Sequence, residues 1–137
     1  MGRPCRAALL LFASLASCVP TEPTLNAPPG AVRFTPPPAY AAWYDATRAC
    51  SGLAGHLERI EWLVVPGVDT FLTDQGPKVG LWERDGIRHR IVVAGNWRNH
   101  EMVVRHEMLH SLLGEAGHPS SYFAERCQLT WETWPGT

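Results

Sequence analysis

The chain has 137 residues and a mass of 15.2 kDa, which fits one modest domain and excludes a multidomain machine. Twelve Lys and Arg against thirteen Asp and Glu leave no basic field for nucleic acid and no acidic tail, while 45% apolar residues suffice for a core. The basic side is lopsided, with eleven arginines and a single lysine, Lys78.

Residues 1–17 read as an export signal: Arg3 and Arg6 precede the apolar run Ala7–Ala16, which is too short to span a bilayer comfortably. The run ends in Leu15-Ala16-Ser17-Cys18, which resembles the lipobox of bacterial lipoproteins. That resemblance implies cleavage before Cys18, lipidation of Cys18 and anchoring in the bacterial cell envelope. Val19 rather than Asp after the cysteine implies the outer membrane in a cell that has one. The mature chain keeps ten basic and thirteen acidic residues, a net charge of −3. Val19 to Pro38 holds seven prolines and little periodic apolar pattern, so residues 18–38 are expected to form an extended tether at about 3 Å per residue, the alternative being a coil packed over the domain around Val32-Arg33-Phe34. The folded domain is then expected over residues 39–137. Cys5 leaves with the signal and Cys18 takes the lipid, so Cys50 and Cys127 remain to pair as a disulfide in an oxidising compartment.

Tyr40, Trp43, Tyr44 and Thr47 fall at helical spacing, and Ser51-Gly52 stops the pattern, which predicts an opening helix from Ala39 to about Cys50. Glu58 to Val65 reads as a strand buried on both sides at one end and closed by Pro66-Gly67. Lys78–Arg84 and Ile87–Ala94 flank Asp85-Gly86, the strongest short hairpin signal in the chain. Gly95-Asn96 breaks that strand, and Asn96 or Asn99 is placed to cap a helix with Glu101 in its first turn. The order helix, strand, hairpin, helix, loop and short helix predicts an α+β domain with a short mixed or antiparallel sheet.

The chemistry lies in Arg105-His106-Glu107-Met108-Leu109-His110-Ser111, which contains His-Glu-x-x-His. Helical residues four apart differ by only about 40° in direction, so His106 and His110 can hold one metal ion from one face. Glu107 lies on the flank of that face, within reach of a metal-bound water. Neutral imidazoles leave zinc its positive charge, which lowers the pKa of that water towards about 7. The carboxylate can then take the proton and deliver it to a leaving amine. Val103, Val104, Met108, Leu109, Leu112 and Leu113 put apolar residues almost all round this helix, and a polar triad on such a buried helix is costly unless a metal satisfies it. Gly114 ends the helix and Gly117 offers a second reversal, so His118 can return as third ligand. Glu115 is the rival, but it follows the helix so closely that reaching back is strained.

The stretch from His106 to His118 resembles the zincin metallopeptidases, whose active helix carries His-Glu-x-x-His. It is closest in style to the metzincin branch, where a glycine turn and then a third His follow the helix. Here the gap between His110 and His118 is longer than in that branch, and no Met follows His118. The resemblance implies Zn2+ on His106, His110 and His118, with Glu107 as general base. It also implies a sheet beside the helix whose edge strand holds the peptide substrate; Arg88–Ala94 is the candidate, through Arg90, Ile91 and Val92. Tyr122, Arg126 and Arg105 are in sequence range as oxyanion stabilisers.

The expected function is an exported, lipid-anchored zinc metallopeptidase acting on a peptide or protein substrate, touching the membrane through its lipid and binding no nucleic acid. The alternative is a non-catalytic zinc-binding envelope lipoprotein serving as an interaction module. Glu107 favours the enzyme, because a structural site needs ligands but no base. A three-histidine endoribonuclease is disfavoured by the export signal, by the His110–His118 spacing and by the charge of −3.

Overall fold

The computed structural model describes residues 26–136; the expected export signal, Cys18 and the first part of the tether lie outside the described residues. The domain expected to begin at Ala39 takes in earlier residues as well. Val32–Arg33 form an edge strand, β1, and Phe34 packs edge-on against Tyr40 and Trp62, with ring centroids 6.1 and 6.3 Å away. The run Pro36-Pro37-Pro38 leads straight into helix α1 (Ala39–Ser51), where the N–H groups of Tyr40 and Ala41 donate to the carbonyls of Pro37 and Pro38. A fixed proline φ suits a helix start, so these prolines order the entry to the helix rather than extend a spacer.

Helix α1 turns Tyr40, Tyr44, Thr47 and Ser51 inward and ends at Gly52, whose left-handed φ of 72° closes a cap onto the Arg48 carbonyl. Strand β2 (Ile60–Val65) is flanked by β1, antiparallel, and by β6 (Arg88–Ala94), parallel. Strand β5 (Gly80–Asp85) pairs antiparallel with β6 and completes the sheet in the order β1-β2-β6-β5. The β5–β6 hairpin turns through Gly86-Ile87, with a positive φ (59°) at the glycine alone, the sign pattern of a II′ turn. Its first arm is shorter than expected: Lys78 belongs to β4 (Gly76–Lys78), which pairs with β3 (Phe71–Thr73) as a separate two-stranded ribbon.

This topology corrects the substrate-strand assignment. Arg90, Ile91 and Val92 lie on β6, an interior strand with a neighbour on each side, so no further strand can add there. The unbroken apolar run Ile91–Ala94 is what a strand covered on both faces needs. Arg90 is occupied by Glu61, which its Nε meets at 3.1 Å. Strand β5 holds the sheet edge instead.

Trp62, Val64, Ile91 and Val93 face Tyr40 and Tyr44 of α1 and Val104 and Met108 of helix α2 (Glu101–Leu113). On the opposite face Leu63, Val65, Val92 and Ala94 pack with Phe71 of the ribbon. Met102, Val103 and Leu109 turn away from the sheet and pack with Phe123, Cys127 and Leu129 of the C-terminal segment. Helix α2 is therefore covered on two sides, which accounts for its apolar residues almost all round. Neither predicted cap serves it: His100 is the N-cap residue, without a side-chain bond, and Asn96 donates instead to Asp69. Cys50 and Cys127 form a disulfide that ties the end of α1 to the C-terminal segment. No described helix is long and apolar enough to cross a membrane.

Candidate metal centre

Helix α2 sets His106 and His110 one turn apart, and Gly114 ends it in the left-handed conformation, with φ 71° and its N–H on the His110 carbonyl. The chain then reverses and brings His118 back. Its Nε2 lies 3.0 Å from His106 Nε2 and 3.1 Å from His110 Nε2. Each of the three residues offers a ligand atom, all within 4.8 Å of one another. The rival ligands are elsewhere. Glu115 contributes its backbone carbonyl to His110, and the exposed Glu125 carboxylate accepts from Ser120 Oγ.

Hydrogen bonds fix how the imidazoles present themselves. His106 Nδ1 donates to the Leu129 carbonyl at 2.8 Å, and His110 Nδ1 donates to the Glu115 carbonyl at 2.9 Å. A neutral ring protonated at Nδ1 carries its lone pair on Nε2, so both rings aim lone pairs at the same space. Burial also lowers the pKa of His106, His118 and His110, the last to about 4, against the milder opposing pull of the carbonyls on His106 and His110. Phe123, fully buried, forms a shared wall, its ring centroid 4.7 Å from those of His106 and His110 and 4.9 Å from that of His118. A π-helical turn (Ser121–Arg126) positions it, with the Cys127 N–H on the Tyr122 carbonyl and the Leu129 N–H on the Phe123 carbonyl. Nothing in the sequence singled out Phe123 or Leu129, because a wall and a backbone acceptor carry no motif.

Strand β5 supplies the other wall. Gly80, Trp82 and Arg84 alternate onto the face that meets α2, as the two-residue strand period requires. A Cβ at Gly80 would stand 2.6 Å from Glu107 Oε1, so only glycine leaves room for that carboxyl against the strand backbone. Trp82 stacks on His110, with centroids 6.2 Å apart and planes 15° from parallel, and Arg84 reaches Gly114. Glu107 is 6% exposed, and burial raises its pKa to about 8 against the opposing effects of the Trp82 backbone N–H and of Lys78. A second bonded pair backs this wall: His89 Nδ1 meets Ser111 Oγ at 2.8 Å and accepts from Trp82 Nε1 at 3.3 Å.

Gly80 and Trp82 line a cleft of about 380 Å³ bounded by β5, the β3–β4 ribbon, α2 and Trp131. His106, Glu107, His110 and His118 all open into it. Arg105, Tyr122 and Arg126 do not. Arg105 binds Thr47 and Glu101, and Arg126 lies over the Tyr122 ring and donates to the Ser51 carbonyl. The oxyanion role suggested by their sequence positions is therefore withdrawn.

No family model, no curated protein and no solved structure matches this chain.

The donor set fits a metal ion on its own terms. With His106 and His110 both donating through Nδ1, their Nε2 atoms are acceptors, and His118 has at most one Nε2 proton to share between them. Three close nitrogens with too few protons suit a cation, and imidazole ligation suits divalent first-row transition metals.

Proposed function

We propose that this protein is a small zinc metallopeptidase, exported and held at the bacterial envelope by a lipid on Cys18. The observation that carries the reading is the convergence of His106, His110 and His118 in one cleft with the Glu107 carboxyl, beside the edge strand of a sheet. His106, His110 and His118 would hold the ion. Zinc, when bound, supplies Lewis-acid activation of water.

The remaining chemistry belongs to the chain's own groups. Glu107 accepts a proton at its carboxylate and returns it to the leaving amine, and the Trp82 N–H keeps that carboxylate in place. The Leu129 and Glu115 carbonyls hold the imidazoles in the ligating tautomer. Strand β5 borders the cleft and takes an extended peptide along its edge, with the ribbon opposite. A structural zinc site is normally closed by four protein ligands, whereas three converge among the described residues, which supports an enzyme over a non-catalytic zinc module.

The test is zinc content and peptide hydrolysis by the full chain, wild type and His118→Ala. One zinc per chain with hydrolysis, and both weakened in the variant, is the expected result. A folded wild type that takes up no zinc refutes the reading.

A further inference from the structure

The cleft has a distinctive charge pattern. Of its lining residues only two, Lys78 and Glu107, carry side chains of fixed charge type, and Lys78 is the single lysine of the chain. Lys78 ends β4, on the ribbon side, close enough for its charge to act on both Glu107 and His118. Glu107 is already committed: it lies buried against Gly80 and bonded to the Trp82 N–H. Four arginines elsewhere on the domain are paired with carboxylates, Arg33 and Arg90 with Glu61, Arg48 with Asp45, and Arg105 with Glu101. Lys78, by contrast, has no ion pair or side-chain hydrogen bond among the described residues.

From this placement we infer that the cleft selects a peptide bearing a carboxylate, which Lys78 receives across from the three-histidine cluster. The inference rests on the peptidase reading and names its substrate class. A dication on the histidines and the ammonium of Lys78 together leave the cleft net positive around one buried carboxyl, so a basic side chain is repelled and an acidic one drawn in. The apolar remainder of the lining, with Val79, Leu81, Met102 and Trp131, lowers the local dielectric and strengthens that preference. The carboxylate has two sources, an Asp or Glu side chain or the free end of a chain, and both present the same group to Lys78.

The experiment uses the zinc-loaded full chain carrying Glu107→Gln, so that binding is read without turnover. Fluorescent peptides of one sequence are compared in pairs: Glu against Gln at successive positions, and a free against an amidated C-terminus. Affinity is measured by anisotropy, with zinc content checked for every protein. At least one carboxylate-bearing member should bind about tenfold tighter than its neutral twin at low salt. Added Lys78→Met should abolish that difference while leaving the neutral peptide's affinity and the zinc content unchanged. Which pair responds identifies side chain or terminus as the source.

A carboxylate preference that survives Lys78→Met overturns the inference, as does equal binding of every pair. A loss on Lys78→Met that is the same for charged and neutral peptides also overturns it, because Lys78 would then act at the peptide group itself. Hydrolysis by the chain with its native Glu107 is scored separately. A Lys78-dependent preference without hydrolysis keeps this inference and defeats the peptidase reading; hydrolysis without the preference does the reverse.

Discussion

Replacing Glu107 by Gln separates what the residue would do in the proposed hydrolysis from what it costs the fold. In the metal-free domain burial raises the carboxyl from 4.5 to about 8. Between those values the folded state keeps a proton that the unfolded chain has released, so stability falls as pH rises through that window and levels off above about 8. At about 1.4 kcal/mol per pKa unit, the cost is below about 1 kcal/mol at pH 5, near 3 kcal/mol at pH 7 and about 4–5 kcal/mol at pH 9. Gln keeps the shape, and its carbonyl can still accept from the Trp82 N–H, but it has no charge to bury. Its new amide N–H groups carry a desolvation cost that does not depend on pH, so the informative quantity is the slope. Urea unfolding of wild type and Glu107→Gln, with chelator present, should give curves that diverge from pH 5 to pH 9 in favour of the variant. The zinc-loaded variant should meanwhile keep its metal and lose hydrolysis. Parallel stability curves would refute the claim that burial holds the proton on Glu107, and retained hydrolysis would refute its role as base.

Gly80→Ala places a methyl 2.6 Å from Glu107 Oε1; it should leave zinc content intact, cost about 1–3 kcal/mol, and reduce kcat at least tenfold in a peptide assay. Phe123→Ala removes the wall common to all three imidazoles; a loss of about 3–5 kcal/mol in denaturant unfolding should accompany weaker zinc binding in chelator competition. Reducing the Cys50–Cys127 bridge, 77 residues apart in sequence, should cost up to about 4–5 kcal/mol on the loop-entropy model. It should also loosen zinc, because His118 and Leu129 lie on either side of Cys127 in the segment that the bridge anchors. Zinc affinity measured with and without reductant reads that directly, and no change would mean that the segment holds itself.

The elements that announced themselves in the sequence did so by period or by punctuation. Tyr40, Tyr44 and Thr47 marked α1, Asp85-Gly86 marked the hairpin, and Gly52 and Gly114 marked two helix ends. His106 and His110 were legible because helix geometry alone puts them on one face. His118 required a chain reversal that two glycines made plausible, and the reversal is present. Strand β1 was hidden by the prolines around it, and two residues leave too little alternation to read. The β3–β4 ribbon was hidden in the same way, with three residues to a strand. Which arm of the hairpin lies outermost is a matter of tertiary pairing: β6 is interior because β2 pairs with it in parallel, a long-range contact with no local signature. The oxyanion candidates failed for a similar reason, since nearness in sequence to His118 left Arg126 and Tyr122 turned toward each other and Ser51.

The same groups that would hold a cation make the site expensive to fold without one. On the acid side, the unfolded chain takes up imidazole protons near 6.5 that the folded His110 refuses until about 4, so stability is lost as pH falls through that range. On the alkaline side, Glu107 imposes the opposite slope up to about 8. The two limbs leave the metal-free domain most comfortable between them, near weakly acidic pH. A bound dication would draw on the neutral imidazoles that burial already favours and would offset the charge on an ionised Glu107, so binding would stabilise the fold by linkage. The disulfide, the Phe123 wall and the two carbonyl acceptors fix the three imidazoles relative to one another, which is the preorganisation that a metal site on so small a domain would need.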